Sequence, residues 1–216
     1  MSAERGSGLR DISVALSPAT PPWPGDTPYT CGWTATLIAG AAVNVSSFTS
    51  SPHAGTHADA PLHVRDGWPA SDELSLDAFA GNAMVVDVSG FSGEISIESL
   101  DHVSPRTGFE RLLLKTGRTI AAGSFPKDWP TLSEACAKAL AGKGLKLLGV
   151  DAPSVDSRHS KTLPVHHALF TANACILENL DLRSVAPGDY ELIALPVKMT
   201  GLDAAPVRAV LRDIAR

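Results

Sequence analysis

The sequence has little that could cross-link it, anchor it or tie it to a polyanion. It holds only three cysteines, Cys31, Cys136 and Cys175. They are far apart and odd in number, which excludes a disulfide framework and a CxxC metal knuckle. Each reads as a small buried apolar residue, and a reducing, cytoplasmic setting is expected. No window approaches the ~18 apolar residues of a membrane span. The opening stretch MSAERGSGLR is polar and lacks an apolar h-region, so no secretory signal is expected. Lys and Arg number 18 against 23 Asp and Glu, a net charge of −5, and they form no block. A nucleic-acid partner therefore does not fit. There is no internal repeat and no low-complexity linker.

What is present is a globular composition, 44% hydrophobic and 19% charged over 216 residues. That length suits one domain with a sizeable core. Residues 1–8 read as a flexible arm and 9–216 as the domain. Leu9 to Leu16 reads as a strand. Pro18 to Pro28 (PATPPWPGDTP) carries five prolines and must be an extended loop, with Trp23 in its middle. Residues 29–39 and 43–50 read as a strand pair around Gly40. Further strands are expected at 83–88, Leu112 to Lys115, Leu145 to Val150, Tyr190 to Val197 and Val207 to Ile214.

Ile97 to Val103 reads as a short helix. A clearer one runs from about Leu132 to Leu140, with Thr131 and Glu134 spaced as a capping box and Gly142 placed to end it. Strands outnumber helices and the two are interspersed. The expected class is a mixed α/β domain with a curved, barrel-like sheet.

Chemistry concentrates in Ser51 to His63 (SPHAGTHADAPLH). Here His53, His57, Asp59 and His63 follow the pattern H-x3-H-x-D-x3-H. Imidazole nitrogen and carboxylate oxygen are the usual ligands of a borderline metal such as Zn²⁺, and a catalytic site leaves a position open for water. Ala54 occupies the place of the Glu of a zinc-protease helix, and Gly55 and Pro61 oppose a regular helix. The segment is expected on a tight turn leaving a strand, with Gly55 bending the backbone. The two oxygens of Asp59 suit it to bridge a second ion. Four isolated, unrelated polar residues would seldom fall so close together.

A second cluster spans Asp151 to Lys161 (DAPSVDSRHSK), His166, His167 and Glu178. His159 reads as solvated, and only one of His166 and His167 can face inward. Glu178 ends an apolar run and needs a partner if buried.

These motifs resemble the cyclase-like metal-dependent hydrolase family and, within it, the bacterial kynurenine formamidases (arylformamidases). The resemblance runs through Trp23 to Asp26 (WPGD), the histidine segment, Asp151 to Ser157 (DAPSVDS) and Ser160 to Thr162 (SKT). It continues through His166 to Ala168 (HHA), Ile176 to Glu178 (ILE) and Pro187 to Pro196 (PGDYELIALP). The stretch Ala168 to Leu177 departs from the family pattern in being largely apolar where a more basic run is expected.

The resemblance implies a swivelling β/β/α fold, a homodimer and two divalent ions per subunit, Zn²⁺ or else Mn²⁺. It implies that His53, His57 and Asp59 hold one ion. Asp59 bridges to the other, completed by His166 and Glu178. His166 is preferred to His167 because it lies twelve residues before Glu178, as in the family. His63 is implied as proton donor and acceptor, and Trp23 as a contact for an aromatic substrate.

The activity so implied is hydrolysis of N-formyl-L-kynurenine to L-kynurenine and formate, with a metal-activated water as nucleophile. Lys115, Arg118 and Arg158 are cations that could meet the amino-acid end of that substrate. The other readings are a hydrolase of a cyclic aryl amide such as isatin, or a non-catalytic metal-binding module with a closed site.

Overall fold

The computed structural model describes residues 8–103 and 109–214. The expected arm at 1–8 lies outside the described residues, apart from Gly8. Among the described residues, thirteen strands alternate with three α-helices and short 3-10 turns. The strands are β1 (Leu9–Asp11), β2 (Thr30–Ala35), β3 (Val45–Thr49), β4 (His57–Asp59), β5 (Ala80–Asp87), β6 (Glu94–Ile95) and β7 (Arg111–Lys115). They continue with β8 (Thr131–Leu132), β9 (Leu147–Val150), β10 (Cys175–Glu178), β11 (Gly188–Ile193), β12 (Ala204–Pro206) and β13 (Val210–Asp213). The helices are α1 (Ile97–Val103), α2 (Glu134–Gly142) and α3 (Pro164–Thr171).

Nine strands form one curled sheet in the order β1-β13-β11-β5-β7-β9-β10-β4-β12. Its centre, β5-β7-β9-β10, is parallel, and both flanks are antiparallel. The central strands read as apolar runs (MVVD, LLLK, LLGV, CILE) because both faces are covered, which is what parallel strands require. Their residues divide by alternation. Leu112, Leu114, Leu148 and Ile176 pack under the helices with Leu100, Leu140 and Leu169. Leu113, Leu147 and Leu177 face the inside of the curl with Ile12, Phe79 and Leu211. The inside is crowded. A Cβ on Gly149 of β9 would collide with the side chain of Leu113 and come within 3.0 Å of Leu180 Cδ1.

The mixed α/β class with a curled sheet is as expected, and α1 has the expected bounds. The strand expected over Leu9 to Leu16 is shorter, because after β1 only Ser13 bridges the sheet, to Leu180. The capping box differs too. Thr131 and Leu132 pair with Glu94 and Ile95 as β8, so Ser133 caps α2 instead, its hydroxyl accepting from Cys136 N at 3.1 Å. The helix then runs through Gly142, with its cap at Lys143. The run VHHA, read without a helix, is the heart of α3. That helix starts at Pro164 behind Leu163, which sits at a left-handed φ of 44°.

The apolar stretch Ala168 to Leu177 is core except at the exposed turn Thr171 to Asn173. Leu169, Phe170, Cys175 and Ile176 are all buried. The pair β2–β3 stands apart as its own two-stranded sheet with almost every residue exposed.

Candidate metal centre

The histidine segment enters a strand rather than leaving one. Residues 52–56 make a tight turn, and β4 then carries His57 and Asp59 outward on one face, with Ala58 on the other in the core. Gly55 closes the turn at φ 68°, where a Cβ would meet Leu16 Cδ2 at 2.7 Å. Its carbonyl accepts from His57 Nδ1 at 2.9 Å. Beyond Asp59 a single 3-10 turn, Pro61–His63, presents His63.

Strand pairing supplies the rest. β4 lies between β10 and β12, and the register sets His57 opposite Glu178. Glu178 ends β10, and His166 is carried on the crossover helix α3 between β9 and β10. The cluster thus forms at the carboxyl ends of parallel strands, where open α/β sheets place their sites.

Four of these groups are buried: His57, Asp59, His166 and Glu178. Asp59 Oδ1 lies 3.0 Å from His53 Nδ1 and 3.2 Å from His57 Nε2, and these two nitrogens are 3.2 Å apart. Asp59 Oδ2 is 3.2 Å from His166 Nε2, which is 3.5 Å from Glu178 Oε1. His57 Nε2 is 3.7 Å from Glu178 Oε2. The opposite nitrogen of each ring is already engaged. His57 Nδ1 donates to Gly55 O, and His166 Nδ1 pairs with Asp156 Oδ2 at 2.6 Å. His53 Nε2 pairs with Asp203 Oδ2 at 2.9 Å.

Metal-ligating imidazoles are held in this way, one nitrogen donating outward and the other presented to the ion. Asp59 Oδ1 is buried and accepts no hydrogen bond. A fully buried carboxylate oxygen with no donor is costly, and a cation is the partner it lacks. The donor set of imidazoles and carboxylates fits a borderline divalent ion. Two triplets of ligand type share Asp59: His53, His57, Asp59 and Asp59, His166, Glu178.

A third triplet, His53, His63 and Asp203, differs in kind. Asp203 Oδ2 faces both ring nitrogens at 2.9 and 3.2 Å, so N–H donors to one carboxylate satisfy the group without an ion.

The electrostatics of the metal-free cluster match. Burial would lower His53, but contacts with Asp203 and Asp59 raise it to about 10. Burial likewise opposes, and Asp156 and Asp59 outweigh it, in raising His166 to about 10. Burial and then the charge of Asp59 push Glu178 up to about 7. Asp59 is held well below the usual carboxylate range by His57, His166 and His53, against its burial. His63 moves the other way, lowered first by burial, with the charges of His53 and His166 adding to the effect.

The cluster opens on a cavity of about 420 Å³, whose walls include Trp23, Phe125, His63 and Asn179. Trp23 packs edge-on against Phe125 (centroids 5.4 Å) and Trp129 (6.2 Å), while remaining 38% exposed. The seven residues given a metal, proton-transfer or substrate role from the sequence are brought together here: His53, His57, Asp59, His63, His166, Glu178 and Trp23.

His167 points elsewhere, its ring edge-on to Trp68 at 6.0 Å. His159 is exposed, as expected. Asp151 is spent on structure, accepting from Thr116 N at 2.8 Å and Gly117 N at 3.0 Å. Of the three candidate cations, Lys115 is turned to the carbonyls of Arg183 and Val185, and Arg118 is exposed. Arg158 lies over the Phe125 ring at 5.2 Å.

Two residues of the site carried no assignment in the sequence. Asp156 lay within a recognised motif without a role, and Asp203 is one acidic residue among 23 with nothing local to mark it.

Comparison with known proteins agrees with this geometry. The Cyclase family model matches residues 10–157. Kynurenine formamidase from Salinibacter ruber is 46% identical over 211 residues, covering 95% of this chain and 97% of its own. A predicted metal-dependent hydrolase from Bacillus stearothermophilus has a solved structure similar at TM-score 0.80 and 28% identity, covering 95% of this chain and 98% of that one. Isatin hydrolase A from Ralstonia solanacearum shares the fold at TM-score 0.80 and 21% identity, over 94% and 90% of the two chains. A metal-ligand cluster at the mouth of this curled sheet, matched along almost the whole sequence, places the chain in the Cyclase family, among relatives that include the kynurenine formamidases.

Proposed function

We propose that the protein hydrolyses N-formyl-L-kynurenine to L-kynurenine and formate, using two divalent ions, Zn²⁺ in the first instance. His53, His57 and Asp59 hold one ion, and Asp59, His166 and Glu178 the other. The observation that carries this reading is the donorless oxygen of Asp59 at the centre of the imidazole–carboxylate cluster, beside an aromatic-walled cavity. The near-complete match to formamidases at 46% identity selects the substrate. Divalent ions held there would supply Lewis-acid chemistry, which brings the pKa of a water from ~15.7 toward ~7 and withdraws charge from a formyl oxygen.

The chain's own residues do the remainder. Trp23, with Phe125 behind it, offers an aromatic wall to the aryl ring. His63 takes a proton as water adds to the formyl carbon. It returns one to the anilide nitrogen as the C–N bond breaks, so that the leaving group departs as a neutral amine. Its lowered pKa suits it to begin the cycle as a base.

The assay is hydrolysis of N-formyl-L-kynurenine before and after chelation, and again after zinc is restored. Activity is expected to vanish and return. A fully metal-loaded protein that leaves this substrate intact would overturn the reading, and turnover of isatin instead would assign the cyclic amide.

We further propose a homodimer in a reducing compartment. Cys136 and Cys175 are buried free thiols, as expected, and burial pushes them up to about 11 and about 12, which leaves these two unreactive; Cys31, against expectation, is a free thiol exposed on β2. No helix among the described residues is long and apolar enough to cross a membrane. Exposed apolar side chains gather on the β2–β3 pair and its turn, with Trp33 at 67%, Phe48 at 69% and Ile38 fully exposed. A patch of that kind marks an association surface.

A further inference from the structure

Asp203 stands just ahead of β12, and one oxygen of its carboxylate serves two imidazoles. Oδ2 lies 2.9 Å from His53 Nε2 and 3.2 Å from His63 Nδ1. The two rings are stacked loosely across it, 4.4 Å apart and tilted 46°. Its side chain is 42% exposed, but its backbone is tied into the sheet. Asp203 O accepts from Ala60 N at 2.8 Å, and the next residue, Ala204, is fully buried and paired with Asp59 in the sheet.

We infer that Asp203 is a positioning residue that fixes the tautomers of His53 and His63 together, joining the metal centre to the proton carrier. A carboxylate only accepts hydrogen bonds, so each nitrogen facing it bears the proton. His53 then carries its proton at Nε2 and presents a bare Nδ1 toward His57 and Asp59. His63 carries its proton at Nδ1 and presents a bare Nε2 to the cavity, where a substrate nitrogen or a water can exchange a proton with it. Without that acceptor the His63 ring is free to turn over and to place Nε2–H toward the cavity, the wrong form for a base. The role of His63 in this inference rests on the proposed hydrolase reading. The tautomers rest on the Asp203 contacts and, for the bare Nδ1 of His53, on an ion bound beside it, not on the substrate.

The test compares the zinc-loaded wild type with Asp203→Asn and Asp203→Ala. ¹⁵N–¹H NMR of the imidazoles at pH 8 is expected to show His63 protonated at Nδ1 and His53 at Nε2 in the wild type, and a mixture for His63 in both variants. With N-formyl-L-kynurenine at saturating zinc, kcat is expected to fall about 10–100-fold while KM stays within about 2-fold. A wild-type His63 protonated at Nε2, or a bare Nδ1 on His63 facing a third cation, would overturn the inference. So would a kcat that, at saturating zinc, equals the wild type's, which would limit Asp203 to steadying His53. Should either variant fail to fold, the wild-type spectrum alone decides. A wild type with the expected tautomers that leaves N-formyl-L-kynurenine intact defeats the substrate reading and keeps Asp203 in its place.

Discussion

His63 and Asp59 both lie against His53 and are expected to fail in different ways. Asp59 is fully buried and shared by both ligand triplets, so Asp59→Ala should remove metal and activity together. His63 is a member of neither Asp59 triplet. His63→Ala should therefore keep its metal and lose roughly 10²–10⁴ in turnover, the usual scale of acid–base help. Metal content by elemental analysis beside kcat separates the two, and a metal-depleted His63→Ala protein would exchange their roles.

Protonation gives a second prediction at this scale. In the metal-free protein, His53 and His166 are raised from 6.5 to about 10, so both are protonated at pH 7. An incoming ion must displace those protons. Metal affinity is therefore lowest in acid and rises with pH until the groups deprotonate unaided near their raised values. Glu178, raised to about 7, is about half protonated there, so calorimetry at pH 7 in buffers of different ionisation enthalpy should show about two to three protons released as the sites fill.

At the scale of elements, the crowded inside of the curl makes Gly149 on β9 a sensitive point. Gly149→Ala sets a methyl against Leu113 and Leu180. It should cost about 1–3 kcal/mol, the range for overpacking a close-packed core. Urea unfolding should show the loss, with metal content unchanged, because Gly149 supplies no ligand.

The elements also divide by how readily the sequence discloses them. Apolar runs such as Leu112 to Lys115 announce a strand buried on both faces, and α1 has clean limits. What escapes is local structure settled by distant partners. Thr131 has the spacing of a cap but is taken by pairing with Glu94 across the chain, and the cap passes to Ser133. The short helix α3 is invisible because its two histidines break the apolar period. It is set in place by Asp156, whose carboxylate accepts from Val165 N and His166 N at 3.0 Å each. The ligands from 53 to 63 are legible because one turn and one short strand gather them. Asp203 is not, because it meets His63 from 140 positions away.

At the scale of the whole molecule, the isolated β2–β3 pair is the feature that a lone copy leaves unexplained. Tyr29 and Phe48 stack at 5.8 Å, yet Phe48 and Trp33 remain mostly exposed. If that face meets a second copy, Trp33→Lys with Phe48→Lys should convert a dimer to a monomer in sedimentation equilibrium, without unfolding the main sheet. A wild type that already sediments as a monomer would remove the homodimer from the proposal.

The position of β4 between β10 and β12 bears on how the molecule is made. Both sheet neighbours of β4 are encoded more than a hundred residues after it, as the pairing of Asp59 with Ile176 of β10 and with Ala204 of β12 shows. A chain emerging from the ribosome therefore exposes His53, His57 and Asp59 first, and the cluster they belong to is complete only when the last third of the chain has closed on them.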